Sequence, residues 1–245
     1  MANFWRLVNE VIEEADIILL IVDARMIDET INVELVKKVE RTGKQLITVI
    51  NKADLVDKKI LERYKKKLNP CVFVSAQKFY GITMLRHEIL RHAKTTPVIV
   101  GVVGYPNTGK SSVINALKGK ASAKVSSVSG YTKGKQLIRV DNKILVIDTP
   151  GVLSGNDDKS SDKLKLSASL NVKSDPDLAA YELLRLYGKS IAKFYEVDSF
   201  ALSEEELLEE IAIKLNRFKK GGKPDIDTTA RIILSDWQKA RIKIQ

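Results

Sequence analysis

Up to Gly151 the apolar residues of this chain fall into two alternating textures. Runs of β-branched and aliphatic residues, such as Ile17-Ile18-Leu19-Leu20-Ile21-Val22, are continuous rather than alternating. Continuous runs of that length predict strands buried on both faces of a sheet. The predicted strands are Ile17–Asp23, Gln45–Asn51, Val72–Ser75, Val98–Gly104, Gln136–Val140 and Lys143–Asp148. Between them, apolar positions recur at helical spacing over Phe4–Ala15, Val33–Arg41, Lys58–Leu68 and Met84–His92. Strands alternating with amphipathic helices predict an α/β fold: a mainly parallel sheet with helices on both faces, a three-layer sandwich.

The texture changes after Leu153, where Ser, Asp, Lys and Asn dominate as far as Asp177 and strand signal fades. Beyond that, only helices are predicted. Asp175-Pro176 starts one, leading into Leu178, Tyr181, Leu184 and Leu186. Ser203 with Glu206 three residues on is a capping box that opens Leu207–Phe218. A last helix follows Gly221-Gly222, with Ala230, Ile233, Leu234 and Trp237 inward. The expected organisation is an α/β domain over 1–172 and a small all-α domain over 173–245.

Candidate chemistry sits at the ends of the predicted strands. Gly104-Tyr105-Pro106-Asn107-Thr108-Gly109-Lys110-Ser111 matches the phosphate-loop pattern GxxxxGK[ST] and lies between the strand Val98–Gly104 and the helical run Ser112–Leu117. Glycines let backbone amides approach phosphate oxygens, and Lys110 reaches the outer phosphates. The Ser111 hydroxyl suits magnesium, and Ser112 extends the cradle into the helix. Asp148-Thr149-Pro150-Gly151 ends the strand before it, which puts a carboxylate near that metal and Gly151 near the γ-phosphate. Thr132, in Gly130-Tyr131-Thr132, is the candidate second hydroxyl ligand. Lys110, Thr132 and Gly151 are thus the candidate catalytic residues.

Asn51-Lys52-Ala53-Asp54 caps another strand. A carboxylate at Asp54 can accept both the ring N–H and the exocyclic amine of guanine, which adenine cannot offer. Asn51 can address the other edge of the base, and the stem of Lys52 can lie along the ring. Ser75-Ala76-Gln77, also at a strand end, would aim a backbone amide at the guanine oxygen.

These motifs come in an unusual order, because the base-reading tetrapeptide precedes the phosphate loop. With Asp23-Ala24-Arg25 after the first strand, Asn51–Asp54, Gly104–Ser112, Gly130-Tyr131-Thr132 and Asp148–Gly151, the chain resembles the circularly permuted GTPases of the ribosome-assembly group, the YlqF/RbgA type. The resemblance implies a P-loop fold, GTP hydrolysis to GDP with magnesium, and a role in assembling a ribosomal subunit, the large one favoured, through rRNA. It also implies a carboxyl-terminal helical domain that Gly221-Gly222 and Pro224-Asp225 resemble more weakly. Val152 and Leu153 stand where a Ras-like enzyme carries its water-orienting glutamine. Some members of the family are assigned a catalytic histidine near the amino terminus, and Met1–Ala15 contains none. His87 and His92 are expected to be solvated helix residues. Asn107 occupies the position of a potassium-ligating asparagine in potassium-dependent GTPases, so potassium is a second candidate cation.

Composition adds a partner class. The chain of 245 residues carries 41 Lys and Arg against 31 Asp and Glu, a net charge of +10. That excess suggests a polyanion such as nucleic acid, although a basic solvated face gives the same arithmetic. Lys118, Lys120, Lys124, Lys133, Lys135, Arg139 and Lys143 crowd the candidate metal loop. An acidic run from Glu196 to Glu210 precedes a basic stretch from Lys214 to Lys243. No aromatic-rich RNA-recognition signature appears, so phosphate and shape binding to structured rRNA is expected, without DNA specificity. Tyr181, Tyr187, Trp237 and Trp5 are expected in cores. A single cysteine, Cys71, expected to be buried and inert, excludes an internal disulfide and suggests a reducing cytoplasm. No apolar run is long enough to span a bilayer, and a monomer without membrane attachment is expected. Two other functions remain open on these residues. One is a GTP-gated RNA-binding module with negligible hydrolysis; the other, an ATP-using P-loop enzyme, conflicts with Asn51–Asp54.

Overall fold

The computed structural model describes residues 2–119, 136–148 and 176–244. The chain divides into two compact units, Met1–Asp158 and Lys159–Gln245. That division and the expected boundary at 172/173 both lie outside the described residues.

The first unit runs α1 (Ala2–Glu14), β1 (Ile17–Asp23), a single-turn α2 (Ile27–Thr30), α3 (Val33–Arg41), β2 (Gln45–Asn51), α4 (Lys58–Lys67), β3 (Cys71–Phe73), α5 (Ile82–His92), β4 (Val98–Val103), α6 (Lys110–Lys118), β5 (Gln136–Arg139) and β6 (Ile144–Asp148). A 3-10 turn, Ala53–Leu55, follows β2. The strands form one six-stranded sheet in the order β3-β2-β1-β4-β6-β5. All neighbours are parallel except β5 and β6, which pair as a hairpin.

β1 shows why the apolar runs are continuous. Ile17, Leu19 and Ile21 join a core beneath α5 and α6, while Ile18, Leu20 and Val22 join a second core beneath α1 and α3. Burying one such side chain contributes roughly 1.5–3 kcal/mol, so both faces of the strand hold it in register. The central strand β4 carries Gly101, where a Cβ would lie 2.6 Å from Val11 Cγ1 and 3.0 Å from Ala15 Cβ. The missing side chain lets α1 lie directly on the middle of the sheet.

The second unit contains α7 (Pro176–Tyr195), α8 (Glu204–Lys214) and α9 (Ile226–Gln238). Only part of the apolar run at the start of α7 turns inward. Leu178 and Leu186 are 63% and 45% exposed, Leu184 is buried, and Ala179, Ala180, Leu183, Ile191 and Ala192 are buried with it. The helix is kinked at Tyr187 (φ −130°, ψ 18°). The Tyr187 ring packs 4.8 Å from that of Trp237. Trp237 is fully buried as expected, whereas Tyr181, Tyr187 and Trp5 are half-buried. Both halves of the capping box are present, with Glu206 N donating to Ser203 Oγ and Ser203 N donating to Glu206 Oε2. The helix it opens stops before the predicted Phe218. Asn216 turns left-handed (φ 52°), and the amides of Asn216 and Arg217 donate back to Ile213 and Ala212, a Schellman stop.

Candidate nucleotide site

The carboxyl ends of β1, β2 and β4 lie side by side, with Asp23 paired to Asn51 across β1 and β2. Crevices at that edge of a parallel sheet are the usual place for ligands. Into this edge the chain brings the phosphate loop, Asn51–Asp54 and Ser75–Gln77.

Two glycines let the phosphate loop fit. Gly104 (φ 147°) sits where a Cβ would meet the Ile21 carbonyl at 2.3 Å, and Gly109 (φ 95°) where one would meet Asn51 Nδ2 at 2.2 Å. The loop is closed by its own side chains. Thr108, buried, donates its hydroxyl to Tyr105 O at 2.9 Å. Lys110 Nζ donates to Gly104 O at 2.9 Å and to Tyr105 O at 2.8 Å. Ser111 and Ser112 are exposed in the first turn of α6, Pro106 is half-buried, and Asn107 is exposed at the tip in a left-handed conformation (φ 63°).

Burial pushes the Lys110 ammonium down to about 8. Its charge is therefore present at neutral pH and lost as pH rises through about 8. A phosphate-bearing ligand that needs this charge should bind less tightly by up to about tenfold per pH unit above that point. Titrating the protein with GDP between pH 7 and 10 checks this. A flat profile would show that Lys110 does not meet the phosphates.

Asn51 has both amide atoms on the backbone of neighbouring loops. Nδ2 donates to Thr108 O at 2.9 Å, and Oδ1 accepts from Ala76 N at 3.1 Å. It thus ties the phosphate loop to the 75–77 loop, a brace that sequence alone did not suggest. Lys52 (φ 61°) reaches the other way, donating to Asn107 O and to Asp23 Oδ2, both at 2.7 Å. Asp54, half-buried, pairs with Lys78 Nζ at 2.9 Å. Burial would raise its carboxyl, but the Ser75 hydroxyl and Lys78 outweigh that and hold it below its ordinary value. It is ionised at neutral pH, as an acceptor of two guanine donors must be. Ser75 and Ala76 are buried and Gln77 is exposed.

A buried ionic group lies beneath the loop. Asp23 accepts Arg25 Nη2 at 2.8 Å and Arg25 Nε at 3.1 Å as well as Lys52. Burial opposes ionisation of Asp23, and Arg25 and then Lys52 outweigh it, so its carboxyl lies far below the usual carboxylate range. Asp23-Ala24-Arg25 is one of the segments that carry the family resemblance, and the sequence gives it no role of its own.

Of the other candidates, Thr132 and Gly151 lie outside the described residues, as do Val152 and Leu153. Asp148 is described as the last backbone residue of β6, and its side chain is not among those described. His87 is exposed on α5, and His92 Nε2 lies 3.2 Å from Glu88 Oε1 on the same helix. Cys71 is half-buried rather than buried, and burial pushes its thiol up to about 11, which leaves it inert at neutral pH. Among the described residues, no helix is long and apolar enough to cross a membrane.

Two solved structures share this architecture over almost their whole length. GNP-bound YlqF from T. maritima superposes with a TM-score of 0.64 over 98% of this chain and 97% of its own, at 24% identity. Its GDP-bound form superposes with a TM-score of 0.66 at 23% identity. This chain has the fold of those YlqF structures. Residues 99–211 match the family described as "50S ribosome-binding GTPase". That match begins on β4, so Asn51–Asp54 lie ahead of it. An uncharacterized GTP-binding protein of Methanocaldococcus jannaschii is 41% identical over 97% of this chain and 65% of its own length. Nucleolar GTP-binding protein 2 of Neurospora crassa is 34% identical over 98% of this chain and 41% of its own. The chain thus spans roughly two-fifths to just under two-thirds of these relatives.

Proposed function

We propose that this protein binds GTP, hydrolyses it to GDP with magnesium, and serves in assembly of the large ribosomal subunit by binding rRNA. The observation that carries the proposal is the brace between the two halves of the site. Asn51 and Lys52, just ahead of the base-reading carboxylate in the chain, hold the tip of the phosphate loop at 2.9 and 2.7 Å. One ligand with guanine at one end and phosphates at the other fits both ends at once.

The residues present suit that ligand. Asp54 is an ionised acceptor already facing a cation, Lys78. No acidic side chain stands between Gly104 and Ser112 to repel phosphates, and the α6 N-terminus and Lys110 add positive charge there. Ser111 in the first turn of α6, with Thr132 and Asp148, would hold magnesium, and Asn107 potassium. Bound there, these cations would offset charge on the phosphates. Lys110 would do the same from the protein side, and Gly151 would register the γ-phosphate. With Val152 in place of a glutamine, slow intrinsic turnover is expected.

Sheet order supports a permuted chain. The strands preceding β4 in sequence, β1 to β3, all lie on one side of it, and β5 and β6 lie on the other. The chain therefore reads one half of the sheet before reaching the phosphate strand. For the RNA, the second unit offers Arg217, Lys219, Lys220 and Lys223, all exposed on a turn closed by a bridge between Phe218 and Pro224. The family description and the nucleolar relative support the ribosomal role.

The test is phosphate release from GTP in potassium and in sodium buffer, with and without large ribosomal subunits. Faster turnover in potassium, raised again by subunits, is expected. Equal rates in the two salts would remove potassium from the proposal. GTP-dependent binding to subunits with no turnover would leave a gated RNA-binding module instead.

A further inference from the structure

We infer that Asp23 is a positioning residue for the phosphate loop, acting through Lys52 and itself held by Arg25. This assigns a role to the Asp23-Ala24-Arg25 segment, to which the proposed function gives none. The inference rests on the proposed nucleotide reading of that site.

The Asp23 carboxylate is saturated. Oδ1 accepts from Arg25 N at 3.0 Å and Arg25 Nε at 3.1 Å, and Oδ2 accepts from Arg25 Nη2 at 2.8 Å and Lys52 Nζ at 2.7 Å. The forked grip of the guanidinium fixes the plane of the carboxylate, which a lysine at that position would not do. Both partners are withdrawn from water, with the side chains of Arg25 and Asp23 0% and 5% exposed. A carboxylate so fixed determines where the Lys52 ammonium stands. Without it, Arg25 and Lys52 would lose the carboxylate they share, and the flexible lysine stem would swing away.

Holding Lys52 matters because of what its ammonium holds in turn. It donates to Asn107 O, and Asn51 Nδ2 donates to the next carbonyl, Thr108 O. A trans peptide is planar, with its C=O and N–H pointing in opposite directions. Two successive carbonyls drawn down toward β2 therefore aim the amides of Thr108 and Gly109 the opposite way, into the loop's concave side. Successive amides presented together form an anion-binding concavity. Asn51 secures one of the pair, and the Arg25–Asp23–Lys52 chain secures the other. The β1–β2 register, with Asp23 beside Asn51, puts the carboxylate within reach of Lys52.

Two measurements on the full chain test this. In the first, a fluorescent GDP analogue is titrated into the wild type, Asp23→Asn, Arg25→Lys, Lys52→Met and the double variant Asp23→Asn/Lys52→Met, with a thermal melt of each. Asp23→Asn keeps the shape of the side chain and removes its charge. It should weaken binding about tenfold to a hundredfold, and Arg25→Lys should weaken it several-fold. The double variant should bind no worse than Lys52→Met alone, because Asp23 acts through that lysine. A lowered melting temperature with unchanged affinity in Asp23→Asn would make the residue merely structural and overturn the inference. So would losses that multiply in the double variant. Should Asp23→Asn not fold, unchanged affinity in Arg25→Lys overturns it equally. In the second measurement, amide hydrogen exchange of the nucleotide-free protein is followed at residues 107–110. Faster exchange there in Asp23→Asn or Arg25→Lys is expected, and identical exchange refutes the inference. This second readout stands even if the wild type binds no GDP, the result that would sink the nucleotide reading itself.

Discussion

Lys110→Ala is expected to weaken GDP binding by a hundredfold or more while leaving thermal stability almost unchanged. In the structure Lys110 Nζ caps the carbonyls of Gly104 and Tyr105. Burial costs the ammonium enough to pull its pKa down to about 8. A buried charge whose pKa falls is a liability in the folded protein, so its removal relieves about as much as the two lost hydrogen bonds contribute. Binding has no such offset. Each charge-assisted hydrogen bond to phosphate is worth about 1.5–3 kcal/mol, and two of them account for the loss. A GDP titration alongside a thermal melt separates the two effects. Retained affinity would mean that the phosphates lie elsewhere.

Asp54→Asn is expected to reverse base preference from guanine to xanthine. The carboxylate can accept from both N1–H and the 2-amino group of guanine, whereas an amide accepts from one and turns its own N–H₂ toward the other. Xanthine carries a carbonyl at that second position and restores the match. Guanine nucleotides should lose about a hundredfold in affinity, and xanthosine diphosphate should gain by a similar factor. The Lys78 partner is 61% exposed, so losing that ion pair should hardly change stability. Competition between GDP and xanthosine diphosphate for the variant decides the matter. An unchanged order of preference would show that Asp54 does not read the base.

How much of this was legible in the sequence depends on the range of the interaction involved. β1 and β2 were predicted to the residue because they are rich in aliphatic and β-branched residues and end in a charged or amide side chain at the sheet edge. Single turns such as α2 and Ala53–Leu55 were missed, since so few residues carry no period. Which residues of α7 turn inward was not legible from its leucines, because the small Ala179 and Ala180 are buried ahead of the break at Tyr187 while Leu178 and Leu186 are exposed. The end of α8 was set too late because it depends on Asn216 turning left-handed, an option open to asparagine but not required of it.

The site divides in the same way. Gly104–Ser112 and Asn51–Asp54 are contiguous and could be read from spacing alone. The link that makes them one site could not, because Asp23, Lys52 and Asn107 meet only once β1, β2 and β4 are neighbours. Asn51 likewise has the residue type expected at the base, yet its amide bonds go to Thr108 and Ala76.

The bare surface at Gly101 gives helix α1 a reach that its place in the chain conceals. Val11 and Ala15 press on β4 only three residues before Gly104, where the phosphate loop departs. Volume added at either position has nowhere to go but into the strand. The first helix is thus laid, with no side chain between, on the strand that runs straight into the Gly104–Ser111 loop.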